Sequence, residues 1–437
     1  MNKISFKEAL LFWLKLGFIS FGGPAGQISI MHEYLVEKRK WISESKFLHA
    51  LNYCMLLPGP EALQLTIYTG WLMHRTKGGI AAGLLFILPS VFILLALSIL
   101  YVTYGKTDIL TAIFYGMKPA VVAIVFLALL KIGERALQGR IDYVIAILSL
   151  CALLLFNIPY PVLILAVILF GIIYVRFFSE QKNDSQSTSP TSSEDESAYM
   201  RNKDSVIGHG SFSLTRFTVQ ALCFLIIWSI PLIAFYLFTS DFPFWKQLSL
   251  FFTKVGLVAF GGAYSSLMYV SQFAVEKLHW LTKLQMVDGL ALGETTPGPL
   301  MMVLSFVGFL GAYHHFNGSL MLGTLGLLAA TFFTFLPSFI FILLGAPIVE
   351  MTQENKSIKQ VLSFVTPAVV GVIANLTIFT ASAVLFPVAI SLSGFNWLGL
   401  IWIIISVAAM KKFGVNMILW IAVSALMGVA VKMVVGV

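Results

Sequence analysis

The tripeptide Phe21-Gly22-Gly23 returns as Phe260-Gly261-Gly262, and Pro58-Gly59-Pro60 returns as Pro297-Gly298-Pro299, both 239 positions later. All four lie inside apolar runs, where they interrupt any continuous helix. Paired glycines weaken a helix, and proline removes a donor and clashes with the preceding turn. Each tripeptide predicts a break that strips backbone N–H and C=O groups of their intrahelical partners. In lipid such groups must be buried in protein or line a polar cavity. The half-helix that follows a break presents free N–H groups and a positive dipole end, which suits an anion. Breaks at matching places of a repeat point to a transporter's mid-membrane site. The plainer alternative, that the glycines only let helices approach closely, stays open.

Candidate substrate contacts are therefore Phe21, Gly22, Gly23, Pro24, Pro58, Gly59 and Pro60, with Phe260, Gly261, Gly262, Pro297, Gly298 and Pro299 in the second half. Lys15 and Lys254 join them, each six residues before the Phe of its break, roughly 9 Å along a helix. A cation within a membrane span is a functional candidate by default, against snorkelling to the interface as the structural alternative. Glu61 follows the first Pro-Gly-Pro and Glu294 precedes the second. Either can exchange a proton or receive a counter-cation, and either can serve only to cap a short helix. Glu37-Lys38 with Trp41 and Glu276-Lys277 with Trp280 suit an interfacial amphipathic turn.

The elements that must position these residues follow from composition. The chain has 437 residues, 58% of them hydrophobic and 11% charged, with a mean hydropathy of +0.90. A water-exposed surface needs more charge than that. The expectation is an all-α polytopic, multi-pass membrane protein of about thirteen transmembrane segments, with the lipid bilayer as its solvent. The formal charge of +8 lies in short loops and orients helices, so it carries no nucleic-acid signature. Cys54, Cys151 and Cys223 are scattered through apolar stretches and imply neither a metal site nor a disulfide framework. Among the histidines only the adjacent His314-His315 is even close to a metal pattern. No phosphate-binding loop or nucleophile–base set is found, so neither an enzyme nor a cofactor is expected.

Aligning 12–60 with 251–299 without gaps gives 14 identities in 49 positions, where this biased composition gives about five by chance. Leu88-Pro89-Ser90 and Pro119-Ala120 return as Leu336-Pro337-Ser338 and Pro367-Ala368 at an offset of 248, so nine residues are inserted around 313–317. The expected organisation is a repeat at 1–178, a disordered polar linker at 179–213, a linking helix at 214–240 and a second repeat at 241–437. Six spans, one linking span and six more make the repeats inverted, with broken helices. The positive-inside rule favours a cytoplasmic N-terminus, with Lys38, Arg39, Lys40 and Lys46 as the one clear violation. Two explanations stay open: the cluster lies at the interface, or 47–73 is a re-entrant hairpin, which changes the parity of the crossings.

The motifs KLGFISFGGPAGQISIMHEYLVEKRKWISE and LLPGPEALQL, with KVGLVAFGGAYSSLMYV and GETTPGPLMM in the second half, resemble the chromate ion transporter family in its long, two-domain form. The order Phe-Gly-Gly, Glu-Lys and Trp, Pro-Gly-Pro, Leu-Pro-Ser covers most of each half. The resemblance implies an efflux protein of the cell (inner) membrane, with oppositely oriented halves, that exports chromate, a sulfate-like tetrahedral oxyanion, driven by ion gradients or membrane potential, and so confers chromate resistance. One departure is Ala263, which stands where the first half has Pro24. A passive anion channel, a carrier of another anion such as sulfate, and assembly as a homodimer remain open at this stage.

Overall fold

The computed structural model describes residues 4–55, 57–178, 214–351, 356–387 and 394–435. Among them every regular element is helical, as lipid demands of a chain whose backbone groups must be satisfied internally. Seven helices are long and apolar enough to cross a membrane. The linker expected at 179–213 lies outside the described residues.

The spans expected over 9–30 and 47–73 are each two short helices meeting at a break. α1 (Phe6–Ile19) ends at the first Phe-Gly-Gly, and α2 (Gly23–His32) runs on as a π-helical segment, Glu33–Lys38. This pair folds back on itself. Phe12 stacks on Tyr34 with ring centroids 4.0 Å apart, and Arg39 returns to within 2.9 Å of Glu8. Trp41, 2% exposed, closes the hairpin edge-on against Phe12. The Glu-Lys and Trp motif is thus a hairpin clasp, with its indole buried in protein.

α3 (Glu44–Cys54) enters next and stops at Pro-Gly-Pro. α4 (Glu61–Tyr104) then doubles back inside its own 44 residues, at His74 and Arg75, the latter with φ 57° and ψ −154°. Small residues permit the reversal: a Cβ on Gly70 would lie 2.6 Å from that of Ala82, and one on Gly79 would lie 3.0 Å from the Ile67 carbonyl. The reversal brings His74 edge-on to Phe6, 5.1 Å away, so both hairpins open at the N-terminal end. The basic cluster at 38–46 therefore shares that end with the N-terminus. The apparent violation of charge asymmetry came from counting 9–30 and 47–73 each as a single crossing.

The second half repeats this plan. α9 (Phe242–Val258) and α10 (Ala263–Val270), with the π-helical Ser271–Lys277, form the first hairpin. Phe251 stacks on Phe273, and Trp280, 5% exposed, is wedged among Phe244, Phe251 and Phe252. α11 (Lys283–Thr295) leads to the second Pro-Gly-Pro, and a 3₁₀ turn (Leu300–Met302) leads into α12 (Val303–His315). α13 (Leu320–Met351) follows after a short connection, where the nine extra residues were expected. The repeated glycines and prolines also acquire a reason. A Cβ on Gly17 would lie 2.9 Å from Pro89 Cγ, and one on Gly256 2.9 Å from Pro337 Cγ. Each entering helix rests on the Leu-Pro-Ser helix of its own half.

Tyr101, near the far end of α4, hydrogen-bonds to Asp288 and packs on Phe306. That end of α4 lies about 39 Å along the helix from its reversal. The second pair of hairpins therefore opens at the opposite end of α4 from the first. Lys277 and Lys283, which a count of thirteen unreversed crossings puts on the side of the N-terminus, lie at this far end with Trp280.

The remaining helices enclose the hairpins. α5 (Asp108–Ala136), α6 (Arg140–Phe156) and α7 (Tyr160–Phe178) complete the first repeat, and α8 (Leu214–Phe238) links the halves. α14 (Lys356–Ser363), α15 (Val365–Leu385), α16 (Trp397–Lys411) and α17 (Met417–Val435) complete the second. α17 seats on α5 so closely that a Cβ on Gly116 would collide with the Ser424 carbonyl, and α15 meets α6 in the same way at Gly371 and Ala146.

Candidate functional site

The four breaks meet. Gly59 N–H donates to the carbonyl of Ala259 at 2.9 Å, and Gly298 N–H donates to the carbonyl of Ser20 at 2.8 Å. Ser20 and Ala259 are equivalent residues, each just before a Phe-Gly-Gly. Each Pro-Gly-Pro thus satisfies the end of the broken helix in the other half, and the repeats are tied reciprocally. Both Pro-Gly-Pro turns are buried. Gly59 and Gly298 take φ of 128° and 95°, open to glycine and strained for other residues.

Polar side chains complete the knot. Ser90 of the first Leu-Pro-Ser donates to the Pro297 carbonyl at 2.5 Å. Its counterpart Ser338 stands by the other turn, where a Cβ on Gly59 would lie 2.7 Å from its Oγ. Gln27 donates to the Gly298 carbonyl at 2.6 Å, and Gln64 to the Pro58 carbonyl at 2.7 Å. Tyr160, at the start of α7, donates to the Phe260 carbonyl at 2.8 Å. Carbonyls freed by the breaks are thereby satisfied within protein, as buried backbone requires.

The two glycine breaks differ. At the second, Gly262 is buried and Gly261 is covered by Val369. Two carboxylates flank it: Glu61 Oε1 would lie 3.7 Å from a Cβ on Gly262, and Glu294, 4% exposed, accepts a hydrogen bond from Tyr264 at 3.0 Å. Glu61 comes from the first half and Glu294 from the second, so the halves share this break. The Glu61 carboxylate has no hydrogen-bond partner among the described residues. At the first break, a Cβ on Gly22 or Gly23 would meet nothing within 4 Å. The N–H groups of Gly22, Gly23 and Ala25 have no partner among the described residues, as is also true of their equivalents Gly261, Gly262 and Tyr264, but only the first set is uncovered. These unpaired donors, at the positive end of α2, are what an oxyanion can use.

Of the residues singled out in the sequence, the structure gathers the Phe-Gly-Gly and Pro-Gly-Pro residues, Glu61 and Glu294. It does not gather Lys15 and Lys254. Both are exposed, on the faces of α1 and α9 away from buried Leu16 and Val255. Sequence reasoning missed Gln27, Gln64, Ser90 and Tyr160, polar residues in apolar runs beside a break. It also missed an ion pair between Lys118 on α5 and Asp288 on α11, 3.1 Å apart, with side chains 19% and 7% exposed. Tyr101 donates to the other Asp288 oxygen at 2.9 Å. A charge within each of two expected spans was the available signal. Among the described residues no three His, Cys, Asp or Glu converge as metal ligands.

The family model described as chromate transporter matches residues 7–172 and 246–429, one stretch in each half. The chain belongs to the chromate transporter family. It is similar to the chromate transport protein of Pseudomonas aeruginosa, 30% identical over 383 residues covering 86% of this chain and 81% of that one. It is likewise similar to the chromate transport protein of Cupriavidus metallidurans, 27% identical over 376 residues covering 86% and 82%. A probable chromate transport protein of Synechococcus elongatus is 27% identical over 378 residues covering 85% and 83%. No solved structure matches. The family match spans both halves, in line with the long form that the motifs had suggested, and the relatives are named as transporters.

Proposed function

We propose that this member of the chromate transporter family is a secondary active transporter. It exports chromate, or a related tetrahedral oxyanion such as sulfate, across the inner membrane and so confers chromate resistance. The observation that carries this reading is the reciprocal pair of hydrogen bonds from Gly59 to Ala259 and from Gly298 to Ser20. A site tied across two repeats reorganises when one repeat rocks against the other, which is how repeat-built transporters alternate access.

The oxyanion is held by the free amides at the start of α2, within the knot of Phe-Gly-Gly and Pro-Gly-Pro residues. Glu61 and Glu294 at the second break are the ion-coupling groups. The hairpin ends support a cytoplasmic N-terminus and repeats of opposite orientation: Arg39, Lys40, Lys46, Arg75 and Lys77 all lie at the N-terminal end. Lys15 and Lys254, on outer faces, are left out of the site.

Everted vesicles from cells with and without the protein provide the test. Those carrying it accumulate more chromate when energised. Equal accumulation, with the protein verified in the membrane, contradicts the reading.

A further inference from the structure

The Lys118–Asp288 pair is an unusual thing to find in this molecule. Charges within membrane helices are expensive and are retained where they act on a substrate or ion path. This pair joins the two repeats, since α5 belongs to the first and α11 to the second. It also has no double. The equivalent positions are Thr366 and His49, which cannot form such a pair. A purely architectural brace would be expected to survive duplication on both sides.

Its place relative to the glycine breaks is the second observation. Lys118 directly precedes Pro119-Ala120, whose counterpart is Pro367-Ala368. The next residue in the second half, Val369, is the one that covers Gly261. Its counterpart in the first half is Val121, three residues beyond Lys118, on the same helix face one turn away. Lys118 therefore stands one turn from the counterpart of the valine that covers Gly261, in the half whose own break is uncovered at Gly22 and Gly23.

We propose that Lys118 is the cationic contact of the oxyanion, and that Asp288 is a built-in competitor that the oxyanion displaces. This rests on the function proposed above. In the state described here Asp288 neutralises Lys118 and Tyr101 holds the carboxylate in place. When the anion arrives, Asp288 takes up one proton from water, forming an O–H bond at the carboxyl and giving up its charge. The Lys118 ammonium is then free for the dianion, and no covalent bond to the anion forms. Release reverses both steps. One proton accompanies one dianion, leaving one net negative charge that an inside-negative potential drives outward. The groups facing Asp288 are Lys118 from α5 and Tyr101 from α4. The other elements packed on α11, namely α12, α15, α17, the π-helical Ser271–Lys277 and the 3₁₀ turn Leu300–Met302, bring no ion pair or hydrogen bond to it among the described residues.

The test is chromate binding to the purified full-length protein between pH 6 and 8. Wild type is compared with Lys118→Gln, Lys118→Arg, Asp288→Asn and the double variant Lys118→Gln/Asp288→Asn. Lys118→Gln is expected to weaken binding about tenfold or more, and Lys118→Arg to restore most of it. Asp288→Asn, a mimic of the protonated carboxyl, is expected to bind at least as tightly as wild type. It should also lose the part of the pH dependence that wild type shows. Protonation of chromate itself is common to all the proteins, so the difference isolates the carboxylate. The double variant buries no charge and is expected to remain folded while binding about as weakly as Lys118→Gln. Wild-type pH dependence in Asp288→Asn, or wild-type affinity in the double variant, overturns the proposal. Absence of chromate binding by wild type contradicts the proposed function instead.

Discussion

Gly298 donates its amide to the carbonyl of Ser20, 2.8 Å away and 278 positions earlier in the chain. The bond joins a Pro-Gly-Pro turn of one repeat to the broken helix of the other, and the Gly59–Ala259 bond does the same in reverse. Neither tripeptide can satisfy its own backbone. The duplication has been retained as an interlock, in which each half completes the other.

Gly298→Ala and Gly59→Ala should each disable the protein. An added Cβ at Gly298 collides with Ser90 Oγ, and one at Gly59 lies 2.7 Å from both Gln64 Nε2 and Ser338 Oγ, with φ unsuited to alanine at both sites. A loss of about 2–4 kcal/mol is expected from strain and overpacking together. Ser90→Ala, which removes one hydrogen bond, should cost about 1 kcal/mol. Thermal unfolding in detergent gives the ranking; equal stability of Gly298→Ala and wild type would contradict the interlock.

Glu61→Gln and Glu294→Gln separate a transporter from a channel. Both keep the shape of the carboxyl, and in Glu294→Gln the amide oxygen can still accept from Tyr264. Uptake should persist in exchange mode while its response to an imposed pH gradient falls. Unchanged gradient dependence in both variants removes these carboxylates from coupling.

The hairpin reading fixes which loops share a side. With the native cysteines replaced by serine, single cysteines at Lys7, Lys40 and Lys77 should react with a membrane-impermeant thiol reagent from the same side. A cysteine at His279 or Lys283 should react from the other. Labelling of Lys7 and Lys40 from opposite sides would restore an unbroken span over 9–30.

Acid should loosen the far end of the molecule slightly. His315 lies 2.7 Å from Asp241, and this hydrogen bond, with that from Phe244 N–H, holds the Asp241 carboxyl below its ordinary value. A depressed carboxyl stabilises the fold above its unfolded value and loses that contribution as pH falls through the folded one. The group is exposed and screened, so the effect is at most a few tenths of a kcal/mol. The melting difference between wild type and Asp241→Asn should shrink towards zero in acid; a difference that grows would contradict the assignment.

Much of this was legible in the sequence because the chemistry was local. Composition specified helices in lipid, and the repeated Phe-Gly-Gly and Pro-Gly-Pro marked where they break. What a break does to chain direction was not legible. Gly22-Gly23 and Pro58-Gly59-Pro60 give no sign of whether the chain continues or returns. That is decided by tertiary partners such as Phe12 with Tyr34 and Glu8 with Arg39. The reversal at His74 and Arg75 has no glycine or proline at the turn itself, so it read as continuous helix. Lys15 and Lys254 stood out because they repeat, yet their helix faces point outward. Lys118 and Asp288 do not repeat and were passed over. Depth in sequence does not determine the face a side chain occupies.

The central claim is that interlocked breaks from both halves form one site that moves an oxyanion. The most direct measurement is chromate flux in proteoliposomes containing wild type or Gly298→Ala, under imposed pH and voltage gradients. The account predicts saturable flux by wild type, accumulation against a chromate gradient when energised, and loss of both in Gly298→Ala protein that still reconstitutes. Linear flux that only dissipates the chromate gradient, or undiminished flux in Gly298→Ala, would contradict it.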